Sequence, residues 1–223
     1  MRIGLLPSAG TATRMNGIPK FLLPVSEDVQ CLLDYHVRLM APVVDRIIIP
    51  TRTEWVGLLH SFSFGPQVDI LELNTQTMAE TLRRSLEGID YETCVLGMPD
   101  TYFLGGNPYH DLSLHPGHDL TVSLFRTRPE QRGKVGSIDV DTEGRVIAHA
   151  DKDPDHIYDH HWGVMEFASH TEHFLSPTEP TGGVLITECL ARGLDVRGVV
   201  ADYPYFDCGT LREYVACVSA VNP

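Results

Sequence analysis

The sequence predicts an α/β fold with a mixed, mostly parallel central sheet. Short apolar runs alternate with helical periodicity through the first hundred residues, the pattern of β-α-β units. After residue 117 the pattern changes to alternating strands separated by turn residues, which adds antiparallel partners. The 223 residues are 43% hydrophobic and 21% charged, enough apolar material for one large core. A single domain over 1–223 is expected, with a β-rich part at roughly 118–182.

In order along the chain, RIGLL (2–6) reads as a buried strand running into a Ser8–Thr13 loop. A helix near 30–40 places Leu33, Val37 and Met40 on one face. DRIIIP (45–50) and QVDILEL (67–73) are the next strands. TMAETLRRSLEGI carries Met78, Leu82, Leu86 and Ile89 at helical spacing, and ETCVLGMPD (92–100) is a fourth strand ending in an acid. The second half offers HDLTVSLFRT (118–127), then GSIDVDTEGRVIAHA (136–150) with Thr-Glu-Gly as a hairpin turn. YDHHWGVMEFAS is a further strand, a helix covers 183–192, a strand 195–202, and TLREYVACVSAV closes the chain as a helix. Internal repeats, linkers and low-complexity segments are absent from the sequence.

The formal charge of −13 argues against general binding of nucleic acid or an anionic membrane, which would need a basic footprint. It leaves room for anionic small substrates, which need only a few cations gathered in one cleft. Five scattered cysteines (Cys31, Cys94, Cys189, Cys208 and Cys217) form neither a disulfide framework nor zinc-ligand spacing. The apolar run at the N-terminus stops at Pro7, and no stretch has the length of a membrane span, so a cytoplasmic protein is expected.

Ser8, Ala9, Gly10, Thr11, Ala12 and Thr13 follow the first strand and offer backbone N–H groups with little side chain in the way. Such a loop can curl around phosphate oxygens, although by itself a small-residue turn after a first strand is more often only a tight connection. It matches neither G-x-G-x-x-G nor a Walker A sequence. Arg14 adds a planar fork and Lys20, behind Pro19, a mobile point charge, so that two cations flank an anion-sized loop.

LPSAGTATRMNGIPKFLLPV resembles the signature of the sugar-nucleotide pyrophosphorylases, the nucleoside-triphosphate:sugar-1-phosphate nucleotidyltransferases, most nearly of the glucose-1-phosphate thymidylyltransferase kind. That signature runs L-A-A-G-x-G-T-R-[ML], then P-K and a short apolar run ending in Pro-Val. Gly10, Thr13, Arg14, Pro19, Lys20, Pro24 and Val25 match it; Ala12 stands at its second glycine and Pro7-Ser8 at its Ala-Ala. The resemblance implies a Rossmann-like nucleotidyltransferase fold of the GT-A type. It reaches from residue 3 to about 217, so the additional C-terminal helices or β-helix domain of larger relatives are not expected.

Other marks of that family follow in order. VLGMPDTYF supplies Asp100 and YFDCGTLREY supplies Asp207, which the resemblance makes the two carboxylates that bind Mg²⁺. Alone, Asp100 reads as a turn former and Asp207 as a residue before a helix capped by Thr210. VGSIDVDTEGRVIAHADKDP resembles the sugar-phosphate segment, with Gly136 approaching the sugar, Asp151 meeting its hydroxyls and Lys152 holding its phosphate. In QTMAETL, Glu80 and Gln76 are candidates for reading the base; Thr77-x-x-Glu80 is equally a capping box with Glu80 reaching back to the Thr77 N–H. His156, His160 and His161 have no general-base motif beside them and read as solvated loop residues.

The resemblance thus implies transfer of a nucleotidyl group from a nucleoside triphosphate to a sugar-1-phosphate. Its catalytic residues would be Arg14, Lys20, Asp100 and Asp207, and oligomeric state is left open. Two alternatives stand beside it: a sugar-nucleotide-binding regulatory protein of the same fold, and a cytidylyltransferase for a phospho-alcohol.

Overall fold

In the computed structural model, which describes residues 1–10 and 17–222, the first apolar run is β1 (Arg2–Leu5). The units beside it are α1 (Leu32–Met40), β2 (Arg46–Thr51), α2 (Thr53–His60), β3 (Val68–Glu72), α3 (Met78–Leu86) and β4 (Thr93–Leu96). Next come β5 (Thr101–Phe103), α4 (Pro108–Ser113), β6 (Leu120–Arg126), β7 (Gly136–Val140), β8 (Val146–Asp151) and β9 (His160–Ala168). α5 (Val184–Ala191), β10 (Val196–Val200), β11 (Tyr205–Asp207) and α6 (Leu211–Val221) complete the chain. Thr11, Ala12, Thr13 and Arg14 of the expected phosphate loop lie outside the described residues.

The spine of the main sheet runs β10-β6-β9-β4-β1-β2-β3. β3, β2, β1 and β4 pair in parallel, as do β10 and β6, while β9 is antiparallel to both β4 and β6. This is the mixed, mostly parallel sheet that the alternating pattern implies. The β7–β8 hairpin extends from β9, and β5 and β11 form a separate antiparallel pair.

Side-chain alternation divides the core between the two faces of the sheet. Leu5, Ile48, Leu96, Leu124 and Met165 pack with α3 and α5 on one face. Leu6, Ile47, Ile49, Val95, Phe125 and Val164 pack with α1 and α4 on the other. A smaller cluster of Leu23, Val25, Leu32, Cys208 and Cys217 seats α6.

The expected strand 92–100 stops at Leu96. Pro99 has no N–H for a ladder, so the chain leaves the sheet over Gly97–Asp100 and pairs again as β5. Asp100 therefore sits in a turn between two strands. Among the described residues no helix is long and apolar enough to cross a membrane.

Candidate active site

The carboxyl ends of β1 and β4 open onto a cleft of about 320 Å³ whose walls include Ser8, Ala9, Gly10, Lys20, Gln76 and Asp100. The loop keeps pairing with β2 beyond β1: the Leu6 N–H donates to the Ile48 carbonyl (3.0 Å) and the Ser8 N–H to the Pro50 carbonyl (2.8 Å). Ser8 and Ala9 are consequently buried, and the chain turns outward at exposed Gly10. A Cβ added to Gly10 would meet no atom of the described residues within 4 Å. Lys20 enters on a short 3₁₀ turn, Lys20–Leu22, behind buried Pro19.

Lys20 Nζ donates to Asp100 Oδ2 at 3.1 Å. Asp207 arrives through the small sheet, where it stands opposite Thr101 and the next N–H, that of Cys208, donates to the Asp100 carbonyl (2.8 Å). Burial, followed by the charges of Asp100 and Glu213, pushes the Asp207 carboxyl up to about 6, against the opposing pull of Lys20 and the Gly209 N–H. Two carboxylates from distant segments are thus brought side by side with one lysine.

His36 of α1 buttresses this turn. Its Nε2 donates to the Thr101 carbonyl (2.8 Å), which can only accept, so Nδ1 accepts from the Tyr109 hydroxyl (2.5 Å). Burial lowers His36 to about 4, so the ring is neutral at pH 7. Gly97 makes room for the arrangement, because a Cβ there would collide with the Tyr109 hydroxyl. Sequence reading missed His36: its partners come from α4 and β5, far away in the chain.

At the start of α3, Thr77 Oγ1 accepts the Glu80 N–H (3.1 Å), closing the cap. The Glu80 carboxylate accepts from the Gln76 N–H (2.8 Å), one residue before the expected Thr77 partner, and faces Arg84 at 3.7 Å. Glu80 is engaged at the helix start, while Gln76 lines the cleft.

A second group gathers on the β7–β8 hairpin. Gly136 pairs with Asp151, whose Oδ2 accepts from Thr181 Oγ1 at 2.6 Å. Lys152 is exposed, and at φ 56° it is the sole non-glycine with a left-handed backbone among the described residues. Thr181–Gly183 links the two groups. A Cβ on Gly182 would touch Leu82 and Met78 of α3 (3.3 and 3.5 Å), and one on Gly183 would touch the His149 and Trp162 rings. Gly182 thus lies against Met78, a residue of the cleft wall, while Gly183 lies against the hairpin side. His156 pairs with Asp153 (2.8 Å) in the adjoining loop, and no group of three or more His, Cys, Asp or Glu among the described residues is placed to hold a metal.

No protein-family model and no curated protein match the sequence. The fold does match solved structures. A UDP-glucose pyrophosphorylase complexed with UDP-glucose superposes with a TM-score of 0.84 at 16% identity, covering 99% of this chain and 98% of that one. A Bacillus anthracis structure described as a glucose-1-phosphate thymidylyltransferase, in complex with sucrose, gives 0.81 at 18% identity over 99% and 95%. The inositol-1-phosphate CTP transferase from T. maritima gives 0.77 at 16% identity over 99% and 96%. Over nearly its whole length, the chain has the α/β fold of these nucleotidyltransferases.

Proposed function

We propose that this protein is a nucleotidyltransferase that joins a nucleoside triphosphate to a sugar-1-phosphate, making a nucleoside-diphosphate sugar and pyrophosphate. The observation carrying the proposal is the convergence of Lys20, Asp100 and Asp207, from three separated segments, beside a cleft entered by a small-residue loop.

An acceptor phosphate oxygen, already anionic, attacks the α-phosphorus; the new P–O bond forms as the bond to pyrophosphate breaks. No proton is removed, so catalysis reduces to orientation and charge neutralisation. Ser8, whose N–H is held by the Pro50 carbonyl, anchors the loop to β2, while Ala9 and Gly10, with Thr11, Ala12 and Thr13, bring backbone N–H groups to the phosphates, and Arg14 adds its fork. Lys20 neutralises charge on the departing pyrophosphate. Gln76, on the cleft wall, faces the base. Lys152 holds the acceptor phosphate, and the strain of its left-handed backbone is of the kind that accumulates at ligand sites. Asp100 and Asp207 suit Mg²⁺: they are neighbouring hard oxygen donors, and burial, then the charge of Asp100, raises the Asp207 carboxyl to about 6, a cost that a bound cation would offset. When bound there, the ion would supply electrostatic neutralisation of the phosphates.

Pyrophosphate release, measured with the four nucleoside triphosphates against a panel of sugar-1-phosphates in Mg²⁺, tests this. The T. maritima neighbour favours one second reading, CTP with a cyclitol or phospho-alcohol acceptor, which the same panel covers. Thermal stabilisation by a sugar nucleotide without turnover on any pair would instead indicate a regulatory binding protein.

A further inference from the structure

Two ring nitrogens on the hairpin side, Trp162 Nε1 and His149 Nε2, are buried without a hydrogen-bond partner among the described residues. Both border the same two glycines. A Cβ on Gly136 would collide with Trp162 Nε1 and lie 3.2 Å from His149 Nε2; one on Gly183 would lie 3.3 Å from His149 Nε2 and 3.4 Å from Trp162 Nε1. Two orphans at one spot are costly, since an unmet buried polar group forfeits the solvation it had in the unfolded chain. The spot adjoins Asp151, which the Thr181 hydroxyl holds, and lies across Gly182 from the cleft wall at Met78.

The two atoms differ in what they can do. The indole N–H only donates. His149 is neutral, because burial takes it down to about 4. Its Nδ1 is tied to Thr187 Oγ1 at 2.9 Å, and when Nδ1 carries the proton, Nε2 accepts. A donor and an acceptor around one point suit a group that is itself acceptor and donor, which is an alcohol. A quaternary ammonium satisfies neither atom, and an ionised phosphate oxygen, with no proton to give, satisfies only the indole.

We infer that Trp162 and His149 form a hydroxyl-reading pair that selects an acceptor with a ring hydroxyl, a sugar or cyclitol phosphate, over a phosphocholine-like one. This rests on the proposed reaction for its acceptor but not for its test. The chain has two tryptophans, Trp55 on α2 and Trp162 on β9, so their indole ¹H–¹⁵N signals can be told apart with Trp162→Phe. Titration with glucose-1-phosphate and inositol-1-phosphate should move the Trp162 signal saturably and leave Trp55 in place, while phosphocholine leaves both unmoved. Trp162→Phe keeps an aromatic ring and removes an N–H that has no partner among the described residues. It should therefore hold the melting temperature, weaken glucose-1-phosphate about 5–10-fold, and leave nucleotide affinity unchanged. A Trp162 signal that responds to no hydroxyl-bearing phosphate, or equally to phosphocholine, overturns the inference and assigns the orphans to a buried water. A saturable Trp162 shift without pyrophosphate release would overturn the reaction while the hydroxyl site stands.

Discussion

At Gly10, a methyl group would meet nothing of the described residues within 4 Å, and the residue has no left-handed backbone. Gly10→Ala should then leave the melting temperature unchanged or slightly raised, because it mainly restricts the unfolded chain. If the loop closes on phosphates, the same methyl lies in their path, and nucleotide affinity measured by calorimetry should fall about tenfold. Asp207 offers a complementary test. Its carboxyl is raised in the folded protein to about 6, above the ordinary value for an aspartate. A raised acid contributes stability below its unfolded pKa and loses that contribution as pH rises through the folded value. Ionised Asp207 is thus a liability above pH 6, and Asp207→Asn should stabilise the metal-free protein by about 2 kcal/mol at pH 8. Urea melts at pH 8 and pH 4 check the sign, since the gain should disappear at pH 4.

Among the elements, the turn Gly97–Asp100 and the β5–β11 pair matter most, because they bring Asp100 to Asp207. Gly97→Ala drives a methyl into the Tyr109 hydroxyl, which is the partner of His36, which in turn holds the Thr101 carbonyl. The expected cost is about 1–3 kcal/mol in urea denaturation, with lower turnover as the Asp100 turn loosens. Much of this scale was legible in the sequence. Thr77 and Thr210 announce their helices because a cap is a local interaction over three residues. The strands of the spine are legible because burial on both faces leaves near-continuous apolar runs. Other elements were not. In α2 only Leu59 is buried, so it has no apolar stripe to detect; α4 spans six residues, and β5 and β11 three each, too few to establish a period. Trp162 and His149 were illegible for another reason: they meet only when β8 and β9 pack over Gly136 and Gly183.

Across the whole molecule, the buried histidines set the acid limit. Burial lowers His36, His149 and His161 each to about 4, with the Arg128 and His160 charges adding to the effect at His161. Groups with depressed folded pKa values give stability that is complete above the ordinary histidine range and lost as pH falls toward 4. Three such rings outweigh the single opposing Asp207, so denaturant melts should show stability declining steeply between pH 6.5 and 4. His36→Gln should flatten part of that slope. The whole-molecule charge of −13 bears on the site as well, since a polyanionic substrate approaches against the net charge and only the cleft's cations draw it in. The fold class was legible at this scale because alternating periods report topology directly, and its match at 15–18% identity to nucleotidyltransferases shows how little sequence the fold itself requires.

The most direct measurement is pyrophosphate release in Mg²⁺ by the unaltered protein and by Lys20→Met, Asp100→Asn and Asp207→Asn, each first shown to melt cooperatively. Turnover on at least one nucleotide and sugar-1-phosphate pair is expected, falling about 10²–10³-fold in each variant. Unaltered turnover in folded Asp207→Asn would contradict the paired-carboxylate site on which the proposed chemistry depends.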